Sequence, residues 1–342
     1  MVLLTSCTVV KDTPKQQISP EKRVRKLPND DSYLKFLANR SVMNSIVLLV
    51  PLSGSNANLG RNILNAALQS NINEQLDIYA VDTNNLPDDL NISQFPNVKA
   101  VIGPVFSHEV NKIAPIFSSV PVLTLSNNIK LNNGHIFACG LSPQDEFHSI
   151  FSYLQKNGIS SIAFILPGGK FSDELVASAQ KIASEYRIHE DEIDVLFYEK
   201  SAKNDIHSFI AECDKKALFI CEPLINIKNL SIPVFTMSSI ALSDPQRWNG
   251  IKIASDENEN QKKFISEYSK FFHFKPTTIS LVAADLINVI DYAISNNAEI
   301  FDIDFRGICG NFSLKKGQGI KRNLRILTLL DGGKIDRELV KN

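Results

Sequence analysis

From residue 45 onward, apolar and polar positions fall into blocks whose period keeps switching. "SIVLLV" (45–50) is a strand-length segment whose residues 46–50 form an unbroken apolar run. "NANLGRNILNAALQS" (56–70) instead places Leu59, Ile63, Ala66, Ala67 and Ser70 near one face of a helix. The same alternation continues through "LDIYAVD" (76–82), then "VKAVIG" (98–103) with a helix over "SHEVNKIAPIFSS" (107–119). "VPVLTL" (120–125) follows and ends in the polar turn "SNN" (126–128). Apolar strands interleaved with helices predict a parallel sheet covered on both faces. Right-handed crossovers make it a doubly wound layer.

The design then restarts. Ser142 reads as an N-cap with Pro143 at the first helical position, Asp145 and Glu146 suit the positive helix end, and Gly158 closes the helix. "SIAFILPGG" (161–169) repeats the opening strand–Pro–Gly-loop order and leads into the helix "SDELVASAQKIASEY" (172–186). Strands "IDVLFYE" (193–199), "KALFICE" (216–222) and "IPVFTM" (232–237) follow, with a helix "DIHSFIAECD" (205–214) between the first two. Helices return at 259–272 and 277–296, and the closing segment reads as strand, "KKGQG" turn (315–319), strand. The fold class expected is α/β, with two Rossmann-like doubly wound lobes and a cleft between them.

Composition narrows the function. A length of 342 residues suggests about two domains. With 44% hydrophobic and 21% charged residues and a net charge of −1, nothing points to nucleic acid. No uninterrupted apolar run approaches the roughly 18–20 residues of a spanning helix. The five cysteines show no C-x-x-C spacing and the six histidines no H-x-x-x-H pair, so neither metal nor cofactor is expected. "PGGK" (Pro167–Lys170) is followed by Phe171, which fails the phosphate-loop pattern, and "DGGK" at Asp331 fails likewise. G-x-G-x-x-G after a strand and G-x-S-x-G are both missing. The Asp302/Asp304 pair reads as solvated surface, so no catalytic residue is assigned and no enzyme is expected.

At the start, Leu4-Thr5-Ser6-Cys7 resembles the bacterial lipobox, which makes Cys7 the candidate lipidation site; a cysteine there by chance is the alternative. Only Val2, Leu3 and Leu4 precede it where a secretory signal carries about 7–15 apolar residues, so the expectation is either a true start further upstream or a truncated signal. Residues 8–32 are polar and read as a linker. Their cluster Lys22, Arg23, Arg25, Lys26 either grazes anionic lipid or is simply solvated.

Four segments together carry a family resemblance: "IVLLVPLSGSNANLGRNILNAAL", "AVIGPVFSHEVNKIAPIFSSVPVLTLSNN", "IFACGLSPQDE" and "RWNGIKIASDE…FISEYSKFF". The chain resembles the type I periplasmic solute-binding proteins of the leucine/isoleucine/valine-binding group, and among them the bacterial penicillin-binding protein activator lipoproteins. The resemblance implies three crossings, near 139–142, 253–257 and 306–310. The domains are then a truncated lipoprotein signal and tether (1–43), lobe one (44–140 plus 256–306) and lobe two (141–255 plus 307–342). Enterobacterial-type activators add a helical-repeat domain ahead of this fold, for which a tether of about 35 residues is too short.

In amino-acid-binding relatives the loop after the first strand and the G-P-x-x-S loop line the cleft. Ser53, Gly54 and Ser107 match them, and Ser126, Asn127 and Asn128 match the turn that grips the ligand carboxylate. Capping and turn formation explain the same residues equally well. In lobe two, Phe171 stands where an aromatic is expected, but Ser238 and Ser239 occupy the place of the acid that holds the ligand ammonium. Losing that partner costs roughly 1.5–3 kcal/mol per hydrogen bond. Glu222 substitutes from another side or is only a strand-end residue. The resemblance thus implies an envelope lipoprotein, periplasmic and lipid-anchored in the outer membrane. Its partner would be a penicillin-binding protein (a peptidoglycan synthase) or, alternatively, an ABC importer permease, with an amino acid or small anion in the cleft. Cys139 and Cys309 fall at implied crossings, where they either pair or pack as two small thiols.

Overall fold

The computed structural model describes residues 33–36, 44–71, 76–199, 203–223, 230–242, 244–256, 258–301, 303–316 and 319–336. The first sheet holds β1 (Tyr33–Phe36), β2 (Ser45–Val50), β3 (Asp77–Asp82), β4 (Val98–Ile102), β5 (Val122–Thr124) and β6 (Ile136–Ala138), in the order β1-β3-β2-β4-β5-β6. All pairs are parallel except β1–β3. Along β2, Ile46, Leu48 and Val50 enter one core and Val47 and Leu49 the other. Burial on both faces is why the run carries no polar alternation. Helices α1 (Ala57–Ser70), α7 (Glu259–Phe272) and α8 (Thr278–Ser295) cover the first of these faces, and α2 (Ser107–Ile113) covers the second.

The second sheet is built from β7 (Ile162–Pro167), β8 (Ile193–Tyr198), β9 (Leu218–Ile220), β10 (Val234–Thr236), β11 (Lys252–Ser255), β15 (Arg325–Leu329) and β16 (Ile335–Asp336), in the order β16-β15-β11-β10-β9-β7-β8. Ile162, Phe164 and Leu166 of β7 face a core shared with α3 (Pro143–Lys156) and α4 (Lys170–Ala183). Ala163 and Ile165 face the opposite core, on the side of α5 (Lys203–Glu212) and α6 (Ser238–Ala241). A third, antiparallel sheet joins β12 (Asp304–Gly307), β13 (Gly310–Lys315) and β14 (Gly319–Asn323).

Several expectations change. The tether was expected to run to residue 43, yet β1 at 33–36 pairs with β3 as an edge strand. The strand after the "KKGQG" turn is two strands: β14 stays with the small sheet, and β15 starts two residues later in the second sheet. Ile308, Cys309, Phe312 and Leu314 pack in the core of the first sheet with Ile320 against it, so residues 307–316 and 319–323, expected in lobe two, sit on lobe one. The last passage between lobes falls at Leu324 rather than at 306–310. Helix α8 is long and apolar enough to pass as a membrane span by length and composition, although the sequence reading found no such run; 61% of it is buried inside the protein as a core helix. Cys7 lies outside the described residues.

Candidate functional site

The residues singled out by sequence sit at the carboxyl ends of parallel strands. In the first sheet β2 lies between β3 and β4, and in the second β7 lies between β8 and β9. Successive strands are laid down on opposite sides of β2 and of β7, so the strand order reverses there, and open α/β sheets bind ligands at such switch points.

The first lip is a packed turn. A Cβ on Gly60 would stand 1.8 Å from the Pro51 carbonyl oxygen, so only glycine lets α1 approach the end of β2 this closely. Ser53 and Gly54 are tied to the turn after β3. Asn84 Nδ2 donates to the Ser53 carbonyl (2.6 Å), and Asn85 Nδ2 donates to Ser53 Oγ (2.8 Å) and Asp82 Oδ2 (3.0 Å). The N–H groups of Leu52 and Asn84 donate to Asp82 Oδ1 at 2.8 and 3.1 Å. Burial alone would raise the Asp82 carboxyl; hydrogen bonds from Ser53, Leu52, Asn84 and Asn85 together hold it below its ordinary value. Asp82, Asn84 and Asn85 were not singled out from the sequence, although an Asx-rich stretch after a strand ("DTNN") was the available signal.

Ser107 is the first residue of α2, and its hydroxyl makes no hydrogen bond among the described residues. Ser126 Oγ accepts from Asn128 N–H (3.1 Å), and Asn128 Oδ1 accepts from Lys130 N–H (3.2 Å), so both side chains shape the turn itself. Asn127 is exposed. The Ser126 carbonyl also accepts from Gly140 N–H (3.0 Å), which joins this turn to the first crossing.

On the second sheet, Phe171 is 54% exposed at the start of α4. Burial, and after it the charge of Glu222, raises the Tyr198 hydroxyl well above its ordinary value. Ser238 is engaged by its own protein: its N–H and its hydroxyl donate to Glu146 Oε2 and Oε1, both at 2.8 Å. Burial pushes the Glu146 carboxyl up to about 7, against the lowering effect of the two Ser238 hydrogen bonds. From its place in the first turn of α3, Glu146 reads in the sequence only as a helix-end residue. Among the described residues, no hydrogen bond links Ser53, Ser107, Ser126 or Asn128 to Phe171, Glu222 or Ser238.

A second polar cluster, not singled out from the sequence, sits at the crossings. Arg322 of β14 is buried, donating from Nη2 to the Cys139 carbonyl (2.8 Å) and from Nη1 to the Gly140 carbonyl (3.1 Å), with Asp145 Oδ2 at 3.6 Å. Asp285, 1% exposed on α8, accepts from Ile308 N–H (2.5 Å) and Cys309 N–H (2.8 Å). Burial raises its carboxyl to about 6, while those N–H groups pull it back. A lone acid in the apolar run "SLVAADLINVI" was the one signal for it. Cys139 and Cys309 are both free, buried thiols, and burial raises Cys139 to about 12. Among the described residues, no group of three or more His, Cys, Asp or Glu could hold a metal ion.

Two sheets, parallel except for the edge strand β1 in the first and β15 and β16 in the second, exchange chain at three crossings and define a two-lobed type I periplasmic binding protein fold. The chain belongs to the LppC family: the model described as "LppC putative lipoprotein" matches residues 22–215, more than half of its length. A penicillin-binding protein activator LpoA from Glaesserella parasuis is 25% identical over 165 residues, 46% of this chain and 28% of that protein. The match to the Pasteurella multocida LpoA likewise spans 24% of that protein, so only about a quarter of each relative is represented. A crystal structure described as a "putative branched-chain amino acid ABC transporter" from Rhodospirillum rubrum superposes with a TM-score of 0.71 at 14% identity, covering 86% of this chain and 99% of that one. The C-domain of LpoA from Haemophilus influenzae gives 0.64 at 15% identity, covering 85% and 98%.

Proposed function

We propose that this protein is a non-enzymatic lipoprotein of the bacterial envelope that regulates peptidoglycan synthesis by binding a penicillin-binding protein. Cys7 is the proposed anchor and the outer membrane the proposed site. The observation that carries this reading is the Glu146–Ser238 pair. Where amino-acid binders would meet a ligand ammonium, the donors of Ser238 are already consumed by a carboxylate of the same lobe. An incoming ammonium, itself a donor, would meet at Ser238 only the neutral lone pairs of a hydroxyl rather than a free carboxylate, and recruiting the buried Glu146 would take it from its two Ser238 donors. Ser53 Oγ is also engaged within its own lobe, accepting from Asn85 Nδ2. The family membership and the two LpoA relatives support a protein partner. The test is capture of detergent-solubilised membranes on the purified protein, followed by glycan-strand and cross-link synthesis by the recovered enzyme. Recovery of a penicillin-binding protein whose activity rises on addition is the expected result; no recovery, or an unchanged rate, refutes the reading.

The second reading is a solute-binding protein of an ABC importer for an amino acid or small anion. It is favoured by the unbonded Ser107 hydroxyl at the switch point. A thermal-shift screen separates the two. A ligand at about 100 times its Kd stabilises by roughly 2.7 kcal/mol, so a clear shift with any amino acid favours import.

A further inference from the structure

A cavity of about 650 Å3 runs along α3 where β14 hands over to β15, and none of the rim residues lines it. That size lies within the range of about 300–1,000 Å3 typical of small-molecule sites and is large for a bare inorganic ion. Its walls bring together cations from three elements: Lys156 from the last turn of α3, Lys321 from β14 and Arg325 from β15. The single carboxylate among the lining residues, Asp145, lies 3.6 Å from the buried Arg322 guanidinium. Arg325 is shared with Asp256 at 3.6 Å, whereas neither Lys156 nor Lys321 has an ion-pair partner among the described residues. The cavity therefore carries excess positive charge in a chain whose net charge is −1.

Two further observations point to a ligand. Tyr153 and Tyr186 supply aromatic surface to the walls. Arg322 also lines the cavity, and its buried Nε–H has no hydrogen-bond partner. A guanidinium donor left unsatisfied beside a polar cavity is costly unless something accepts from it. We propose that this cavity binds a ring-bearing small anion, a sugar phosphate or sugar carboxylate, with the anionic group met by Lys156 and Lys321 and the ring lying against the tyrosines. The confined group of cations suits a compact anion better than a nucleic acid, which needs an extended basic stripe. Because β14 is anchored in the core of the first lobe and α3 in that of the second, such a ligand contacts both lobes beside the Leu324 crossing.

The test is calorimetric titration of the full chain with glucose 6-phosphate and with glucuronate, with inorganic phosphate and polyglutamate as comparison probes. The protein is used as wild type, as the double variant Lys156→Glu/Lys321→Glu, and as Lys156→Arg/Lys321→Arg. Both lysines are exposed, and circular dichroism checks that each variant is folded. The expected result is binding of at least one sugar anion, weakened about tenfold or more by charge reversal and kept by the arginine pair. A preference for the phosphate or the carboxylate sugar tells the two sources apart. Absence of binding by both sugars, inorganic phosphate binding as tightly as either sugar, capture of polyglutamate alone, or undiminished binding by the reversed variant would overturn the proposal.

Discussion

Glu146 on α3 and Ser238 at the start of α6, 92 residues apart in the chain, are joined by two hydrogen bonds of 2.8 Å. The carboxylate takes both the backbone and the side-chain donor of one residue. This closes off a position that would otherwise present free donors at the strand-end rim.

The pair makes stability depend on pH. Burial lifts the folded-state pKa of Glu146 to about 7, above its unfolded value, so the folded state favours the protonated form. Its contribution is complete below the unfolded pKa of about 4.3 and is lost as pH rises through about 7. Glu146→Gln, which cannot ionise, should therefore gain stability relative to wild type between pH 5 and about 7.5. Urea unfolding at both pH values measures this; parallel curves for the two proteins would contradict it.

Asp285 holds the turn between β12 and β13. Asp285→Ala would leave the Ile308 and Cys309 N–H groups buried without acceptors, at a cost of about 3 kcal/mol. Asp285→Asn retains one acceptor and should lose less. Denaturant midpoints rank the three proteins, and an alanine variant as stable as wild type would remove this role from Asp285.

Gly60 sets how closely α1 approaches β2. Gly60→Ala would force its Cβ against the Pro51 carbonyl, with overpacking on the order of 1–3 kcal/mol that the higher helix propensity of alanine does not offset. The expected outcome is a lower Tm. A raised Tm would mean that the lip relaxes without cost.

Cys139 and Cys309 should both remain unmodified by iodoacetamide in the native protein, because burial keeps them protonated thiols. Both should alkylate once the chain is unfolded in guanidinium without reductant. A peptide linking the two in non-reducing mass mapping would refute this.

The strongly periodic elements were legible in the sequence. Helix α7 has the bounds its pattern implies, and Ser142 caps α3 by accepting from Gln144 N–H. Strands β6, β11 and β12 were not read as strands, because unlike the equally short β5, β9 and β10 they do not stand out as apolar runs flanked by polar turns. The segment 319–329 reads as one strand because alternation says nothing about which sheet a strand joins. The rim positions could be listed from the chain, but not that Ser126 and Asn128 would spend their oxygens on their own turn. Nor could it be foreseen that a glutamate from another element would occupy Ser238.

The sequence by itself determined two α/β units, their apolar strands and the loops at the strand ends, because burial period and turn chemistry are local properties. Only the tertiary structure decided where the chain passes between lobes, which polar groups close on one another, and that Arg322, Asp145 and Asp285 meet at the crossings. Those outcomes depend on desolvation: a buried charge must find its partner wherever the fold brings one, and that partner is fixed by packing rather than by position along the chain.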